Sequence, residues 1–404
     1  MKKGAFVIIF LIFVSCFFGR FNVFLGAFEV NVALAETEER NIEKELQEEV
    51  SKQLANLDFS QIETSLADLS QEAKELFSAS SFSDKLLYVM SGQYVDSSGS
   101  FFSSILSIFW KDLKKSLPLI SIIISISILG GMISSLKPIS SNGSIGNIIH
   151  FVSYGTILVI LGTSILQVIK LTSNTLSSVK SLFNAIFPIL LTILTALGGS
   201  VSVGIYQPAV AMLGNVFVSL ITYVLLPMFI FSIVFSIVGN LSNNVKLDKF
   251  VEFLQSAFKW TMGLCFTIFL GFISIQGIVA GSIDGLSIRT AKYAIKSYVP
   301  IVGNYLSDGM SIIMASSALI KNAIGGVGLF LLLSMMVSPI LNIVLFMLAL
   351  KLMSGVIEMI GDKKISSFLS SISKSLALLI ALLVAVTFMY VVLTGLVMCS
   401  ANLI

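Results

Sequence analysis

Long apolar blocks fill the sequence after residue 116 and decide what kind of structure the chain can form. Seven blocks approach or exceed the roughly 20 apolar residues with which a helix crosses about 30 Å of hydrocarbon. They are residues 117–136, 148–169, 182–197, 208–239, 260–280, 323–350 and 375–397. Only 12% of the residues are charged, against about 25% in a soluble domain. The sequence therefore predicts an all-α, polytopic membrane protein.

Two of these blocks are too long for one crossing, and each contains a proline. Block 208–239 would be about 48 Å long as a straight helix, and Pro227 lies inside it, while Pro339 lies inside block 323–350. Proline lacks the backbone N–H and kinks or breaks a helix. Pro227 and Pro339 are therefore candidate helix breaks, and the membrane part has seven segments, or up to nine if both blocks divide. Block 182–197 is short, which is compatible with a re-entrant segment.

The N-terminus has the layout of a secretory signal peptide. Two lysines precede an apolar run over residues 5–18, and small residues stand at Ala33 and Ala35, just before an acidic segment. This pattern predicts a signal peptide over residues 1–35 that is cleaved after Ala35. An uncleaved anchor is the alternative. Either one places the following segment outside the cytoplasm.

Residues 36–110 form an acidic, helical extracytoplasmic domain. Apolar residues recur at helical spacing in two stripes, Ile42, Leu46, Val50, Leu54 and Leu57, then Ile62, Leu66, Leu69, Ala73 and Leu76. The stripes fit a helical hairpin packed on itself, or a docking surface for a partner, and the sequence does not separate the two. Residues 101–115 read as an amphipathic helix at the membrane interface, because aromatic and aliphatic residues precede three lysines.

Charge divides the chain at the same point. Residues 1–110 carry a balance of −7, and the membrane domain, residues 111–404, carries +10. The positive-inside rule still does not orient the membrane domain. The basic clusters at residues 246–259 and 289–296 are separated by one crossing, so they should face opposite sides.

The stretch 276–322 carries all the charge found between residues 264 and 350. Charged groups are rare inside hydrocarbon because each costs several kcal/mol there, and those present tend to be functional. Part of the stretch reads as a short helix that Asp284 or Ser287 caps and Pro300 ends. The candidate assembly or pore-mouth residues are Gln276, Asp284, Arg289, Lys292, Lys296, Asp308 and Lys321.

Two interpretations of this stretch stay open. In one, an amphipathic helix lies on the bilayer, with its cations at the lipid phosphates. In the other, the helix is a fixed element at a subunit contact or a pore mouth. Lys321 is the best candidate for a charge inside the membrane, with a position at the end of a helix as the alternative. Gln276 suits a hydrogen bond between helices.

The residue patterns of catalytic and metal sites are missing from the sequence. It has no glycine-rich phosphate loop, and His150 is the single histidine. The three cysteines, Cys16, Cys265 and Cys399, stand apart in apolar surroundings, which argues against a disulfide framework or a zinc site. The sequence therefore predicts no enzymatic activity, no cofactor, no metal and no nucleic-acid partner.

Several motifs occur in one order along the membrane domain. FPILLTILTALGGSVSVGIYQP covers residues 187–208, and Gln276-Gly277 and Asp284-Gly285 follow. IRTAK at 288–292, VPIVG at 299–303, Ser307-Asp308 and KNAIG at 321–325 complete the set. With these motifs the chain resembles the stage III sporulation protein AE family over about residues 115–404.

The resemblance implies a setting for the protein. It implies a multi-pass subunit in the mother-cell membrane around the engulfed forespore, within a transenvelope complex similar to a secretion apparatus or feeding channel. The implied partners are the other stage III sporulation proteins, AA to AH, the stage II sporulation protein Q and membrane lipid. The implied role is non-enzymatic support of forespore development after engulfment. A stand-alone permease for a small solute, with broken helices meeting at the bilayer midplane, is the alternative.

Overall fold

The computed structural model describes residues 39–67, 82–83, 85–86, 98–135, 144–241, 247–298, 303–360 and 363–400. These residues form helices joined by short turns, and none of them lies in a strand. The prediction of an all-α protein is confirmed. The signal peptide and its cleavage site at Ala35 lie outside the described residues.

Nine helices carry the labels used below. Two precede the long helices, namely α1 (Glu39–Ala55) and α2 (Ser60–Ala67). Then come α3 (Ser98–Ser135), α4 (Ser144–Ala196), α5 (Ser200–Ala211), α6 (Leu226–Leu241), α7 (Asp248–Tyr298), α8 (Gly303–Ile360) and α9 (Lys363–Cys399). Two π-helical stretches, Met212–Phe217 and Ile221–Leu225, join α5 to α6 around the single turn Val218–Leu220.

Within the described residues, five helical segments are long and apolar enough to cross a membrane. They are Phe151–Ala196, Val218–Gly239, Asp248–Ser274, Gly309–Met359 and Lys364–Cys399. This finding confirms the prediction of a polytopic membrane protein. The predicted blocks 148–169 and 182–197 are one helix, α4, so a separate re-entrant segment is wrong. The hydropathy pattern divided α4 because polar residues occupy the middle of the helix.

Neither proline ends a helix. Pro339 lies inside α8, which continues to Ile360, and Pro227 is the second residue of α6. The predicted break at Pro339 is wrong, because a packed membrane helix tolerates the lost hydrogen bond when its neighbours satisfy the freed groups. At Pro227 the change of backbone comes earlier, in the π-helical turn that ends at Leu225. The chain stays helical from residue 200 to residue 241.

Helix α8 is the centre of the bundle. It packs most extensively against α9, and also against α4, α3, α1 and α7. Its 58 residues, like the 53 of α4 and the 51 of α7, give lengths of about 75 to 90 Å at 1.5 Å per residue. The hydrocarbon layer is about 30 Å thick. These helices are therefore more than twice as long as a single crossing requires.

Contacts between the helices define two ends of the bundle. At one end, which we call the Ser400 end, a β-carbon at position 325 of α8 would lie 2.5 Å from Cγ of Met398 on α9. At the other end the rings of Tyr154 and Phe368 are 5.0 Å apart, and the Ser354 hydroxyl donates to the carbonyl of Ser366. Helices α4 and α9 thus run toward the Ser400 end, and α8 runs away from it.

The N-terminal helices dock on the long ones. Helix α1 packs along α8 and α2 packs along α4, and Val50 and Ile62 belong to the same hydrophobic core as the long helices. The start of α2 is fixed by Asp58, whose carboxylate accepts hydrogen bonds from the Ser60 N–H and hydroxyl. These bonds hold the pKa of Asp58 below its usual range. The boundary predicted at residue 110 falls inside α3.

A sharp turn joins α4 to α5. Gly198 adopts a left-handed conformation with φ 81°, which glycine accepts without steric cost. The N–H of Gly199 donates to the carbonyl of Leu194 at 2.9 Å, and a β-carbon at position 199 would lie 2.9 Å from that carbonyl oxygen. The glycine pair thus ends α4 and turns the chain back within three residues.

Candidate functional site

A buried lysine lies where α5, α8 and α9 meet. Lys321 on α8 is fully buried, and its ammonium group donates a hydrogen bond to the backbone carbonyl of Ser400. That carbonyl follows the last residue of α9, where a helix carries partial negative charge. The hydroxyl of Tyr206 on α5 lies 2.7 Å from Oγ of the same Ser400. The two contacts join α5, α8 and the end of α9 around one cation.

Two glycines next to Lys321 let the helices approach closely. A β-carbon at position 328 would lie 2.9 Å from Cδ1 of Ile186 on α4, and the corresponding position at Gly325 faces Met398 on α9. Small residues at such positions bring helix backbones together. The lysine is therefore enclosed by tight packing on two sides of α8.

One turn before Lys321, helix α8 holds the N-terminal helix α1. The amide nitrogen of Gln53 donates to Oγ of Ser316 at 3.0 Å, and the hydroxyl of Ser317 donates to the amide oxygen of Gln53 at 2.9 Å. Gln53 also donates to Glu49 on its own helix at 3.0 Å. One amide thus uses both its donor and its acceptor to join α1 to α8. Because Ser317 and Lys321 are four residues apart, they share a face of α8.

A second buried lysine joins the N-terminal part to α8. Lys85 is buried, and its ammonium group lies 5.2 Å from the centre of the Phe330 ring, which is the geometry of a cation–π contact. Phe82 from the same segment packs its ring 5.5 Å from that of Phe59. Burial lowers the pKa of Lys85. Lys85, which lies between α2 and α3, therefore also contacts the central helix.

Comparison with protein families matches residues 80–401 of the chain to stage III sporulation protein AE. The match begins just before Lys85, includes α3 to α9 and ends just after Ser400. The chain belongs to the stage III sporulation protein AE family. The resemblance proposed from the sequence motifs is thus confirmed over about four-fifths of the chain.

A curated relative supports the assignment. The stage III sporulation protein AE of Bacillus subtilis (strain 168) is 25% identical over 285 residues, which cover 70% of this chain and 71% of the relative. No solved structure matches the chain.

Most of the charged residues predicted as a site lie along the end of α7. Gln276, Asp284, Arg289, Lys292 and Lys296 all belong to α7, which is continuous from Asp248 to Tyr298. A separate short helix capped by Asp284 or Ser287 is therefore wrong, because the helix does not start anew there. Helix α7 is described up to Tyr298, and Pro300, the predicted end of the short helix, lies outside the described residues. The side chains of these five residues, and that of Asp308 in α8, lie outside the described ones.

The backbone places Gln276 at the height of Lys321. The rings of Phe266 on α7 and Phe388 on α9 are 5.5 Å apart, and both helices run toward the Ser400 end. Ten residues further along α7, Gln276 reaches within about one turn of the height of Ser400. The remaining residues of α7 rise about 33 Å beyond that height. A straight α7 would therefore bring Gln276 to the level of Lys321 and carry the basic residues past it.

Sequence reasoning missed the residues that join α5, α9 and α1 to α8 around Lys321. Tyr206 lies inside the motif at residues 187–208 that carries the family resemblance, and that motif was the available signal. Ser400 and Gln53 stand 79 and 263 residues from their partners on α8, and nothing local marks them. Within the described residues, no group of three or more His, Cys, Asp or Glu side chains could hold a metal ion.

Proposed function

We propose that this protein is a membrane-embedded, non-enzymatic subunit of a transenvelope channel that links the mother cell to the forespore and that forespore development requires after engulfment. Membership of the stage III sporulation protein AE family is the observation that carries the proposal. The relative in Bacillus subtilis (strain 168) bears the same stage III sporulation name.

The architecture suits a subunit that joins neighbours. Helices α4, α7 and α8 are more than twice as long as a crossing requires, so they present surface both in the membrane and in the water beside it. Gln53 holds α1 on α8, and Lys85 contacts Phe330 on the same helix. Packing fills the interior of the bundle around α8, where the buried groups are mostly apolar. The surface that is free to bind partners is therefore the outer surface of the bundle.

The orientation is part of the proposal. If α3 crosses the membrane along with the five candidate segments, the chain crosses six times and both of its ends lie on one side. The contacts agree with this count, because Gln53 of α1 and Ser400 after α9 both bind α8 at the Ser400 end. If the segment after the signal peptide lies outside the cytoplasm, the Ser400 end faces the space between the mother cell and the forespore. The proposed partners are the other stage III sporulation proteins, AA to AH, and the stage II sporulation protein Q.

Deleting the gene and following sporulation tests the proposal. We expect engulfment to finish and development to stop afterwards, with heat-resistant spores lost and then restored by a second copy of the gene. A tagged copy should also bring down other stage III proteins from solubilised sporulating cells. A normal spore yield in the deletion strain would reject the proposal.

The stand-alone permease loses its main support. It required helices broken at Pro227 and Pro339 that meet at the bilayer midplane, and α8 runs unbroken through Pro339. Purified protein in vesicles, without partners, should therefore not accumulate solutes.

A further inference from the structure

Helix α4 carries a long polar face on the outside of the bundle. Up to Leu166 its exposed large side chains are apolar, namely Phe151, Val152, Val159 and Leu166. Beyond that point the exposed polar residues follow helical spacing, and we call them the polar stripe: Gln167, Lys170, Asn174, Ser177, Ser181, Asn184, Thr192 and Thr195. The stripe rises about 42 Å along the helix, which exceeds the thickness of the hydrocarbon layer.

The opposite side of the bundle is apolar at the same height. The ring of Phe183 on α4 lies 4.4 Å from that of Tyr390 on α9. Two residues earlier on α9, Phe388 lies 5.5 Å from Phe266 on α7. The stripe residues beside Phe183 therefore lie level with the residues of α7 beside Phe266.

Around Phe266, α7 exposes Leu264 and Ile268, 48% and 46% accessible. Around Phe183, α4 exposes Ser181 and Asn184. Helix α9 packs against both α4 and α7, and the two exposed faces belong to these two separate helices. At this height the bundle is thus apolar on the α7 side and polar on the α4 side.

Lipid suits only one of these faces. Leu264 and Ile268 can face acyl chains, but the side-chain amide of Asn184, which lies level with them, would cost several kcal/mol there. From these observations, and resting on the proposed function, we propose that the polar stripe of α4 is a wall of the aqueous passage at membrane depth, while the outer face of α7 contacts lipid.

The charge of α4 indicates which solutes this wall favours. Helix α4 contains Lys170 and Lys180 and no aspartate or glutamate. Rings and walls of lysine favour anions, and acidic ones favour cations. The wall that this chain contributes therefore favours small anionic or neutral hydrophilic solutes.

Cysteine labelling in sporulating cells tests the location of the stripe. Cys16, Cys265 and Cys399 are first replaced by serine or alanine, and single cysteines are placed at Asn174, Ser177 or Ser181. Leu264→Cys and Ile268→Cys are the matched controls at the height of Ser181, and Asn174 lies about 10 Å from that height along α4. Each variant must still support spore formation, so that labelling reports on the working complex.

We expect a small charged methanethiosulfonate to modify the stripe positions at least about tenfold faster than the controls, because a thiol in lipid ionises poorly. A bulky polyethylene-glycol maleimide should modify neither set. Stripe positions no faster than the controls would overturn the inference, because lipid or protein then covers them. Fast reaction with the bulky reagent would also overturn it, because the stripe then stands in open water.

The anion preference has its own test at Asn174→Cys, one turn from Lys170. A sulfonate reagent should react several-fold faster than an ammonium reagent of the same size, and Lys170→Gln should remove the difference. Equal rates in the unsubstituted background would overturn the preference. If deleting the gene blocks sporulation but the stripe positions are not labelled, only this inference is rejected. If the deletion strain sporulates normally, the proposed function is rejected.

Discussion

The ammonium group of Lys321 on α8 donates its hydrogen bond to the carbonyl of Ser400, immediately after α9 ends. The bond joins α8 and α9, the two helices that pack most extensively against each other. It lies at the end of the bundle where α1 also docks. An amine here neutralises the negative end of the α9 dipole, and Tyr206 brings α5 to the same serine. Lys321 is thus a structural cation that holds the Ser400 end together.

Replacing Lys321 by alanine should destabilise the protein more than the same change at an exposed lysine of α8. The substitution leaves a buried carbonyl without its charged donor and opens a cavity, which costs roughly 2 to 4 kcal/mol. Lys351→Ala is the matched control, since Lys351 is exposed on the same helix. Thermal unfolding of the two variants in detergent, followed by size-exclusion fluorescence, measures the difference. Equal midpoints would contradict the structural role.

Gly325→Val should overpack the contact between α8 and α9. A β-carbon at position 325 would lie 2.5 Å from Cγ of Met398, and overpacking of this kind costs about 1 to 3 kcal/mol. Met398→Ala should restore part of the loss, because it empties the space that valine needs. Gly355→Val is the control, since a β-carbon there meets nothing within 4 Å. Thermal midpoints of the four proteins decide the outcome, and a loss that Met398→Ala does not relieve would contradict this contact.

Composition and apolar block length predicted the fold class because every helix that crosses the bilayer needs about 20 mostly apolar residues. The same signal underestimated helix length. Hydropathy locates segments that suit lipid, whereas α4 continues helical through its polar middle, from Lys170 to Asn184, and α7 continues past Gln276. Proline rules failed at Pro339 because packing around α8 outweighs a local preference.

The candidate site was predictable only in part. Lys321 stands out as an isolated cation beside an apolar block, so the sequence identifies it. Ser400, which accepts the hydrogen bond of Lys321, and Gln53, which binds Ser316, do not stand out, because they reach α8 through contacts far apart in the chain. The polar stripe was present in the sequence at spacings of three and four residues. Its role could not be inferred until the structure showed that α4 is one continuous helix and that this face is exposed.

Gln53→Ala should loosen α1 from α8. The change removes both hydrogen bonds to Ser316 and Ser317, at roughly 1 kcal/mol each. We expect faster proteolysis of α1 in the folded protein, with the long helices left intact. Gln61→Ala on α2 is the matched control, because the Gln61 side chain is exposed. A double-mutant cycle that combines Gln53→Ala with Ser316→Ala and Ser317→Ala should give a coupling free energy between these side chains. If the effects simply add, the Gln53 amide does not hold α1 on α8.

Lys85 should make the docking of the N-terminal segment depend on pH. Burial lowers the pKa of Lys85 from its ordinary 10.5, so the unfolded segment keeps its proton over a pH range in which the folded one has lost it. The free energy of unfolding must then rise with pH between the lowered pKa and 10.5, because the unfolded state binds more protons there. Below that range both states are protonated, so the cost of burying the charge does not change with pH.

Lys85→Met should flatten this rise, because no proton is then lost on folding. Lys52→Met, at an exposed position of α1, should leave the rise unchanged. Thermal midpoints measured at a series of pH values up to 10.5 give the slope for each protein. If the thermal midpoint of Lys85→Met still rises with pH, a group other than Lys85 is responsible for the pH dependence. The cation–π contact with Phe330 offsets part of the burial cost, so Phe330→Leu should lower the pKa of Lys85 further and begin the rise at a lower pH.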